Sequence, residues 1–262
     1  MENKILLLGS KGFLGSFLLN NLPYNIVPIS RTECDLTNFN SVTNLLKTHS
    51  PEIIINCAGS LERDLKVFNV ESFNQNLNIF FNLYYQRDLF GKLINLGSGA
   101  EYDRRYSINL KKEIEIKYIR PVDHYGLSKN IISNISLSAN NFYTLRLFGC
   151  FSNSKNILFD KIINDNQIII KNRHFDFFYA RDLIPIFEYF IENSPEIKDV
   201  NIVYKEKKTL KEIVTFFKNF HNLKCKISFE EDYKNYTGCS ETLNNFNFKF
   251  QGLEEGMKQY II

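Results

Sequence analysis

A glycine-rich turn directly after the first apolar run is the sequence feature that most constrains the fold. Residues 4–8 form a short apolar run, typical of a strand buried on both faces, and Gly9, Gly12 and Gly15 follow it. Apolar positions at helical spacing then cover residues 13–21. Three glycines between a strand and a helix allow a tight turn, close approach of a pyrophosphate and binding of its charge at the helix N-terminus. The alternative is an ordinary glycine turn without a ligand, and the surrounding pattern of strands and helices distinguishes the two interpretations.

Strand and helix patterns alternate through the first part of the chain. Apolar runs typical of strands recur at residues 26–29, 53–57, 93–96 and 143–147, with helical patterns at 39–49, 71–87 and 124–139. Because no Asn-Gly hairpin signal separates neighbouring strands, parallel strands joined by right-handed helical crossovers are expected. The predicted fold class is therefore α/β, a doubly wound parallel sheet of the Rossmann type.

The rhythm of strands and helices becomes irregular after residue 150, where Asn, Lys and aromatic residues are more frequent. We therefore predict a dinucleotide-binding domain over residues 1–150 and a small C-terminal substrate-binding lobe over residues 151–262. Residues 176–204 are a candidate to return to the sheet.

Composition excludes several classes of partner. The 32 Lys and Arg residues nearly balance the 29 Asp and Glu residues and are spread along the chain, which argues against a nucleic-acid partner. No apolar run approaches the ~18 residues of a membrane span, so no membrane partner is expected. The N-terminus lacks the pattern of a signal peptide, and five scattered cysteines are typical of a cytoplasmic protein. The four histidines lack metal-ligand spacing, so no metal site is expected.

The residues after the second strand indicate which dinucleotide binds. Enzymes that use NAD place an acidic residue there to bind the ribose 2′-hydroxyl, whereas this chain has Ser30, Arg31 and Thr32 before Glu33. Arg31, helped by Lys11 in the glycine turn, would face a 2′-phosphate. NADP is therefore the predicted cofactor, with NAD as the alternative.

Two later segments carry further motifs. Residues 96–102, Leu-Gly-Ser-Gly-Ala-Glu-Tyr, place Ser98 four positions before a tyrosine, and Pro121 precedes Tyr125, Ser128 and Lys129 at the spacing Pro-x-x-x-Tyr-x-x-Ser-Lys. Together with the glycine turn, these motifs resemble the extended short-chain dehydrogenase/reductases, also called the NAD-dependent epimerase/dehydratase family. The resemblance covers essentially the whole chain and is closest to nucleotide-sugar reductases such as dTDP-4-keto-rhamnose reductase and GDP-fucose synthase.

The resemblance implies cofactor contacts beyond the glycine turn and Arg31. Asp35 and Leu36 resemble the adenine contact, residues 56–59 resemble a loop that passes the cofactor, and Asn76 and Asn82 lie where the long helix of the family carries asparagines. Lys129 would hold the nicotinamide ribose. The predicted cofactor-binding residues are Gly9, Lys11, Gly12, Phe13, Leu14, Gly15, Arg31, Asp35, Leu36, Cys57, Ala58, Gly59, Asn76 and Lys129.

The same resemblance implies that Ser98, Tyr125 and Lys129 are catalytic. A phenol with its ordinary pKa of ~10 is a poor proton-transfer catalyst at neutral pH. Lys129 lies one helical turn after Tyr125, so we expect its ammonium to lower the pKa of Tyr125. Ser98 would hydrogen-bond the substrate oxygen. Chance occurrence of Tyr-x-x-x-Lys among 14 tyrosines, and a simple turn role for Ser98, are the alternatives.

Departures from the family pattern refine the expected reaction. Ala100 stands where GDP-fucose synthase-like enzymes carry an epimerising cysteine, and Gly99-Ala100 stands where 4,6-dehydratases carry Asp-Glu. Both favour simple keto reduction, although epimerase activity is not excluded. Phe175 replaces the arginine that binds the substrate phosphate, and Arg173 or Arg146 are candidates to substitute for it.

The sequence thus predicts NADP(H)-dependent reduction of a nucleotide-activated 4-keto-(deoxy)sugar for cell-surface polysaccharide synthesis. The alternatives are a nucleotide-sugar epimerase with tightly bound NAD(P) and a non-catalytic dinucleotide-binding scaffold. A homodimer is a further prediction, since aromatic residues cluster on the helix at 71–87, although core packing explains them equally well. These residues are Phe80, Phe81, Tyr84 and Tyr85.

Overall fold

Six parallel strands form the central sheet of the computed structural model, which describes residues 4–61 and 70–261. In chain order the strands are β1 (Ile5–Leu8), β2 (Ile26–Ile29), β3 (Ile53–Asn56), β4 (Lys92–Ser98), β5 (Ile108–Lys111), β6 (Phe142–Leu147), β7 (Gly149–Phe151), β8 (Gln167–Asn172), β9 (Phe177–Tyr179), β10 (Asp199–Ile202), β11 (Lys226–Glu231) and β12 (Tyr236–Gly238). The order across the sheet is β10-β6-β4-β3-β1-β2. This order reverses direction at β1 and β3, as in a doubly wound sheet, which confirms the predicted fold class.

Helices cover both faces of this sheet. In chain order they are α1 (Phe13–Asn21), α2 (Phe39–His49), α3 (Val70–Tyr84), α4 (His124–Ser136), α5 (Ile157–Asn164), α6 (Leu183–Glu192), α7 (Leu210–Phe220), α8 (Glu241–Asn244) and α9 (Leu253–Lys258). Side chains alternate along a strand, so Ile5 and Leu7 pack with α1 and α6, whereas Leu6 and Leu8 pack with α2, α3 and α4. Two apolar layers therefore fix the sheet between the helices.

The observed ends of two elements change the position of site residues. The strand expected at 93–96 is β4, which continues to Ser98 and so brings this serine to the carboxyl edge of the sheet. The helix expected at 124–139 is α4, which ends at Ser136. The carboxyl ends of parallel strands are where ligands bind in such sheets.

Residues after 150 contribute both to the sheet and to a separate core. β10 pairs in parallel with β6, with Asp199 opposite Thr144, and extends the central sheet at its edge. The other strands form three two-stranded parallel sheets, β8 with β11, β5 with β12 and β7 with β9. An aromatic cluster that includes Phe159 and Phe217, whose rings stack with centroids 4.2 Å apart, fills the core of this lobe.

The charged segment at 111–117 differs from the solvated loop or edge strand that its composition suggests. Most of it forms a 3₁₀ helix, Glu113–Tyr118, which turns Ile116 into a fully buried position. Glu113 accepts a hydrogen bond from the backbone N–H of Asn201 in β10 at 2.9 Å. A short helix thus lets one apolar side chain point inward while its charged neighbours face outward.

Candidate active site

The turn from β1 to α1 depends on glycine at two positions. Gly9 has φ of 76°, and a Cβ there would lie 2.7 Å from the backbone nitrogen of Ala58. A Cβ at Gly15 would lie 2.2 Å from the carbonyl oxygen of Gly9. Any side chain at either position would force the backbone apart, so the sequence motif corresponds to a tightly closed turn.

The N-terminus of α1 is suited to bind an anion. Its N-cap is Gly12, which has no side chain to cap the helix, and the first turn, Phe13 to Ser16, contains no carboxylate. Exposed N–H groups and the helix dipole favour negative charge at such an end. The residues present therefore fit the diphosphate of a dinucleotide, which Gly12, Phe13 and Leu14 would hold.

Two basic side chains flank the end of β2. Lys11 Nζ donates to Thr32 Oγ1 at 3.3 Å, and Arg31 is exposed beside it. The carboxylate of Glu33 turns back to accept hydrogen bonds from Ser30 and Thr32. These hydrogen bonds lower the pKa of Glu33 to about 2. Glu33 is thus occupied by hydrogen bonds within its own turn, while the side chains of Lys11 and Arg31 are exposed at this edge of the sheet.

Local hydrogen bonds hold Asp35 and Leu36, the predicted adenine contact, in a defined turn. Asp35 accepts from the backbone N–H of Thr37 at 2.9 Å and from its hydroxyl at 2.7 Å. Leu36 is buried, and its carbonyl accepts from Asn82 Nδ2 at 2.9 Å. Asn82 therefore fixes this turn against α3.

The loop after β3 passes between the glycine turn and α4. The N–H of Cys57 donates to Leu8 O at 3.0 Å, and burial raises the pKa of this thiol to about 12, so it stays protonated. A Cβ built on Gly59 would lie 3.2 Å from Asn76 Oδ1 and 3.8 Å from Lys129 Nζ. The predicted residues Cys57, Ala58 and Gly59 thus lie between the glycine turn and α4.

Asn76 acts as a structural link in this region. Its amide accepts from the N–H of Ser60 at 2.7 Å and donates to Ser60 O at 3.0 Å and to Ser128 Oγ at 3.2 Å. The side chain therefore joins the loop after β3 to α3 and α4. Contact with the cofactor stays a prediction for this residue.

The three predicted catalytic residues converge at the carboxyl edge of the sheet. Ser98 ends β4, and Tyr125 lies in the first turn of α4, near enough for the Ser98 hydroxyl to influence its pKa. Lys129, one turn later, is buried and donates from Nζ to Leu96 O at 2.9 Å. Asp123 caps α4 by accepting from Gly126 N at 2.8 Å. The capped helix thus presents Tyr125 and Lys129 beside the end of β4.

The pKa of Tyr125 moves in the direction opposite to the sequence expectation. Burial raises it, whereas the nearby Ser98 hydroxyl and the charge of Arg104, whose Cζ lies 5.7 Å from the ring centroid, act to lower it. Burial lowers the pKa of Lys129, and the charge of Glu101 opposes this change. Lys129 Nζ donates to Leu96 O, and burial of the phenol is the dominant influence on Tyr125, so Tyr125 keeps its proton at neutral pH.

A buried ion-pair network below Ser98 was not predicted as part of the site. Glu101 and Arg146 are fully buried, and Arg146 Nε donates to Glu101 Oε2 at 2.6 Å. Arg146 Nη2 donates to Asp199 at 2.9 Å. The spacing Ser98-x-x-Glu101 is that of a capping box, the one signal in the sequence that could have indicated this contact.

This network excludes one of the two candidates for binding the substrate phosphate. Arg146 points into the protein with both ends of its guanidinium engaged. Arg173 remains partly exposed, with its guanidinium carbon 5.6 Å from the ring centroid of Phe175 and its Nη1 3.4 Å from Asp232. Arg173 is therefore the remaining candidate of the pair.

The sequence and the site together place the chain in a family. The sequence model of the NAD dependent epimerase/dehydratase family matches residues 5–203. The chain belongs to this family and is an NAD(P)-dependent oxidoreductase of the extended short-chain dehydrogenase/reductase type. No curated protein matches the sequence.

Solved structures share the fold over nearly the whole chain. GDP-mannoheptose C4 reductase from Campylobacter jejuni with NADP bound is 21% identical, with a TM-score of 0.84 over 98% of this chain and 96% of that one. dTDP-4-dehydrorhamnose reductase from Bacillus anthracis, in complex with NADP, is 17% identical with a TM-score of 0.81 over 99% and 98%. GDP-L-fucose synthetase from Naegleria fowleri, bound to NADP, is 16% identical with a TM-score of 0.79 over 98% and 91%.

Two features of the described residues concern membrane and metal partners. Over 4–61 and 70–261, no helix combines the length and apolar character needed to cross a bilayer. Within the same ranges, no group of three His, Cys, Asp or Glu side chains is arranged to hold a metal ion.

Proposed function

We propose that the protein reduces a nucleotide-activated 4-keto-(deoxy)sugar with NADPH, in the synthesis of cell-surface polysaccharide. The observation that carries this proposal is the protonated phenol of Tyr125 beside the Ser98 hydroxyl, at the sheet edge next to the glycine turn. Reduction of a ketone needs a proton donor at the oxygen, and a phenol whose pKa is raised retains its proton for that purpose.

Each catalytic side chain then has a defined task. NADPH supplies a hydride when bound. Tyr125 gives its proton to the former carbonyl oxygen, and Ser98 donates a hydrogen bond to the same oxygen as negative charge develops. Lys129, beside Gly59, would hold the nicotinamide ribose.

The preference for NADP over NAD is supported by the charges after β2. Lys11 and Arg31 are both exposed there, and Glu33 is occupied by Ser30 and Thr32. A guanidinium and an ammonium together suit the dianionic 2′-phosphate, which NAD lacks. The three solved neighbours described above also contain NADP.

Reduction is supported over epimerisation by the residues that follow Ser98. Gly99 and Ala100 have no group that can exchange a proton, and Ala100 is buried. Glu101 is committed to Ser98 N and Arg146. Two of the neighbours are themselves described as reductases of GDP- or dTDP-linked sugars.

The proposal is tested by following NADPH oxidation with 4-keto sugars linked to GDP, dTDP, UDP and CDP. We expect turnover with at least one nucleotide and tighter binding of NADPH than of NADH. Absence of turnover with all four would refute the proposed reaction. An epimerase would instead be purified with tightly bound cofactor, which absorbance of the isolated protein detects directly.

We expect the protein to form a homodimer through α3. Phe80 belongs to the core, being 1% exposed, but Phe81 stacks on Tyr85 at 5.8 Å and Tyr85 is 66% exposed. A second copy of this helix would cover that aromatic pair. Light scattering tests this expectation, and a monomeric mass would contradict it.

A further inference from the structure

A lysine from the part of the chain after residue 150 contacts the first residue of α1. Lys155 Nζ lies 5.7 Å from the ring centroid of Phe13, a distance at which an ammonium is attracted to an aromatic ring. Phe13 directly follows Gly12, the N-cap of α1. The Lys155 ammonium is therefore held beside the helix end that is suited to bind the diphosphate of a dinucleotide.

This contact joins two distant parts of the central sheet. Phe13 follows β1, whereas Lys155 follows β6 and β7, and both β4 and β3 lie between β6 and β1 in the sheet. Neighbouring strands are about 4.8 Å apart, so these three spacings correspond to roughly 14 Å. The chain after β6 thus returns across the carboxyl edge of the sheet to reach the glycine turn, and this edge is where ligands bind in such folds.

Hydrogen bonds hold the turn that carries Lys155. Ser152 N donates to Lys155 O at 3.2 Å, and the two residues form an isolated antiparallel bridge. Asn156 is buried and caps α5 with its side chain, while its own N–H donates to Tyr260 Oη at 2.8 Å. Lys155 therefore extends from a turn that is anchored on both sides.

The charges around this helix end favour a bound anion. The N-terminus of a helix carries partial positive charge, which disfavours nearby cations. Two lysines nevertheless lie there, Lys155 beside Phe13 and Lys11 in the glycine turn, and the first turn of α1 contains no carboxylate. Within residues 4–61 and 70–261, no carboxylate forms an ion pair with Lys155. A diphosphate would supply the negative charge that this arrangement lacks.

We propose that Lys155 binds the diphosphate of the nicotinamide dinucleotide, together with the N–H groups at the start of α1. This inference rests on the dinucleotide cofactor of the proposed function and not on the identity of the sugar. It adds a cofactor contact from the lobe after residue 150, whereas the cofactor-binding residues predicted from the sequence all precede residue 130. NADP and NAD share the diphosphate, so Lys155 strengthens the binding of both, in contrast to a contact with the 2′-phosphate.

The test measures cofactor binding to Lys155→Met by fluorescence titration in the absence of sugar. Methionine removes the ammonium and keeps an unbranched side chain that can still pack on Phe13. We expect the dissociation constants of NADPH and NADH to rise by a similar factor of about tenfold, as for the loss of one charge-assisted contact with a phosphate. Lys155→Arg keeps the charge and should retain most of the affinity for both cofactors. An unchanged melting temperature of the cofactor-free protein verifies that each variant is folded.

Lys161→Met is the matched control, because Lys161 is an exposed lysine of α5 in the same lobe, and its variant should bind both cofactors like wild type. Unchanged affinity of Lys155→Met for NADPH and NADH overturns the inference. So does a loss confined to NADPH, which would assign Lys155 to the 2′-phosphate, or a rise in the KM of the sugar alone, which would assign it to the substrate.

The same titrations separate this inference from the proposed reaction. Wild-type protein that binds neither NADPH nor NADH overturns both. Wild-type protein that binds NADPH but reduces no 4-keto nucleotide sugar refutes the proposed reaction alone, and a tenfold loss of both cofactors in Lys155→Met then still supports the diphosphate contact.

Discussion

The backbone N–H of Ser98 donates to Glu101 Oε1 at 2.7 Å, while the other oxygen of the same carboxylate accepts from Arg146 Nε at 2.6 Å. The residue that would bind the substrate oxygen is thus attached to a fully buried ion pair. Neutralising one partner of such a pair leaves the other charge poorly compensated in the interior. The position of Ser98 at the end of β4 and the stability of the fold therefore depend on one carboxylate.

Glu101→Gln tests this dependence. Loss of the buried charge should lower the free energy of unfolding by about 3–5 kcal/mol, measured by urea denaturation. Glu115→Gln is the control, because Glu115 forms a half-exposed surface pair with Lys111, and its loss should cost within about 0.5 kcal/mol. If both variants lose a similarly small amount of free energy of unfolding, the buried Glu101–Arg146 pair does not contribute strongly to the stability of the fold.

Tyr125→Phe removes the proposed proton donor. We expect kcat for reduction to fall by about 10²–10⁴, as for the loss of a general acid, with the dissociation constant of NADPH nearly unchanged. Tyr118→Phe, at a position 83% exposed, should have wild-type kinetics. Retained turnover in the Tyr125 variant would remove this residue from the mechanism.

Arg31→Ala tests the assignment of the 2′-phosphate. Losing a charge-assisted hydrogen bond should weaken NADPH binding about tenfold or more and leave NADH binding within about twofold, measured by fluorescence titration. Lys47→Ala on α2 removes an exposed positive charge distant from the turn and should affect neither cofactor. Equal weakening of both cofactors would contradict a specific phosphate contact.

The fall of kcat/KM at alkaline pH should reflect deprotonation of Lys129 rather than of Tyr125. Burial raises the pKa of Tyr125 but lowers that of Lys129, so the ammonium loses its proton first as the pH rises. If protonated Lys129 holds the ribose, kcat/KM should fall as pH passes its pKa. Lys129→Arg should move this fall to higher pH, because a guanidinium stays protonated. If kcat/KM falls at the same pH in the wild-type protein and in Lys129→Arg, a group other than Lys129 is responsible.

The sheet and the glycine turn follow from local patterns in the sequence. Ile5 to Leu8 are buried on both faces, which a continuous apolar run indicates, and the contacts of Gly9 and Gly15 explain why the turn needs glycine. The helix with Tyr125 and Lys129 likewise follows from a short motif. These features depend mainly on neighbours in the sequence, so spacing suffices to predict them.

Other parts of the site depend on contacts between distant segments. Arg146 and Asp199 meet because β6 pairs with β10, and Tyr236 lies opposite Ile108 because β12 pairs with β5. Periodicity gives no indication of such pairings between distant segments. The pKa of Tyr125 was predicted in the wrong direction for a related reason: helical spacing brings Lys129 to the same helix face, but burial of the phenol exceeds any effect of that ammonium.

The late position of β10 has a consequence for synthesis of the protein. Until residues 199–202 leave the ribosome, β6 has an open edge on the side where β10 will pair, although all six of its residues are buried in the finished sheet. An unpaired apolar strand edge is prone to pair with other chains. A nascent chain would therefore be prone to aggregate until β10 is added, and a product truncated near residue 150 would remain so.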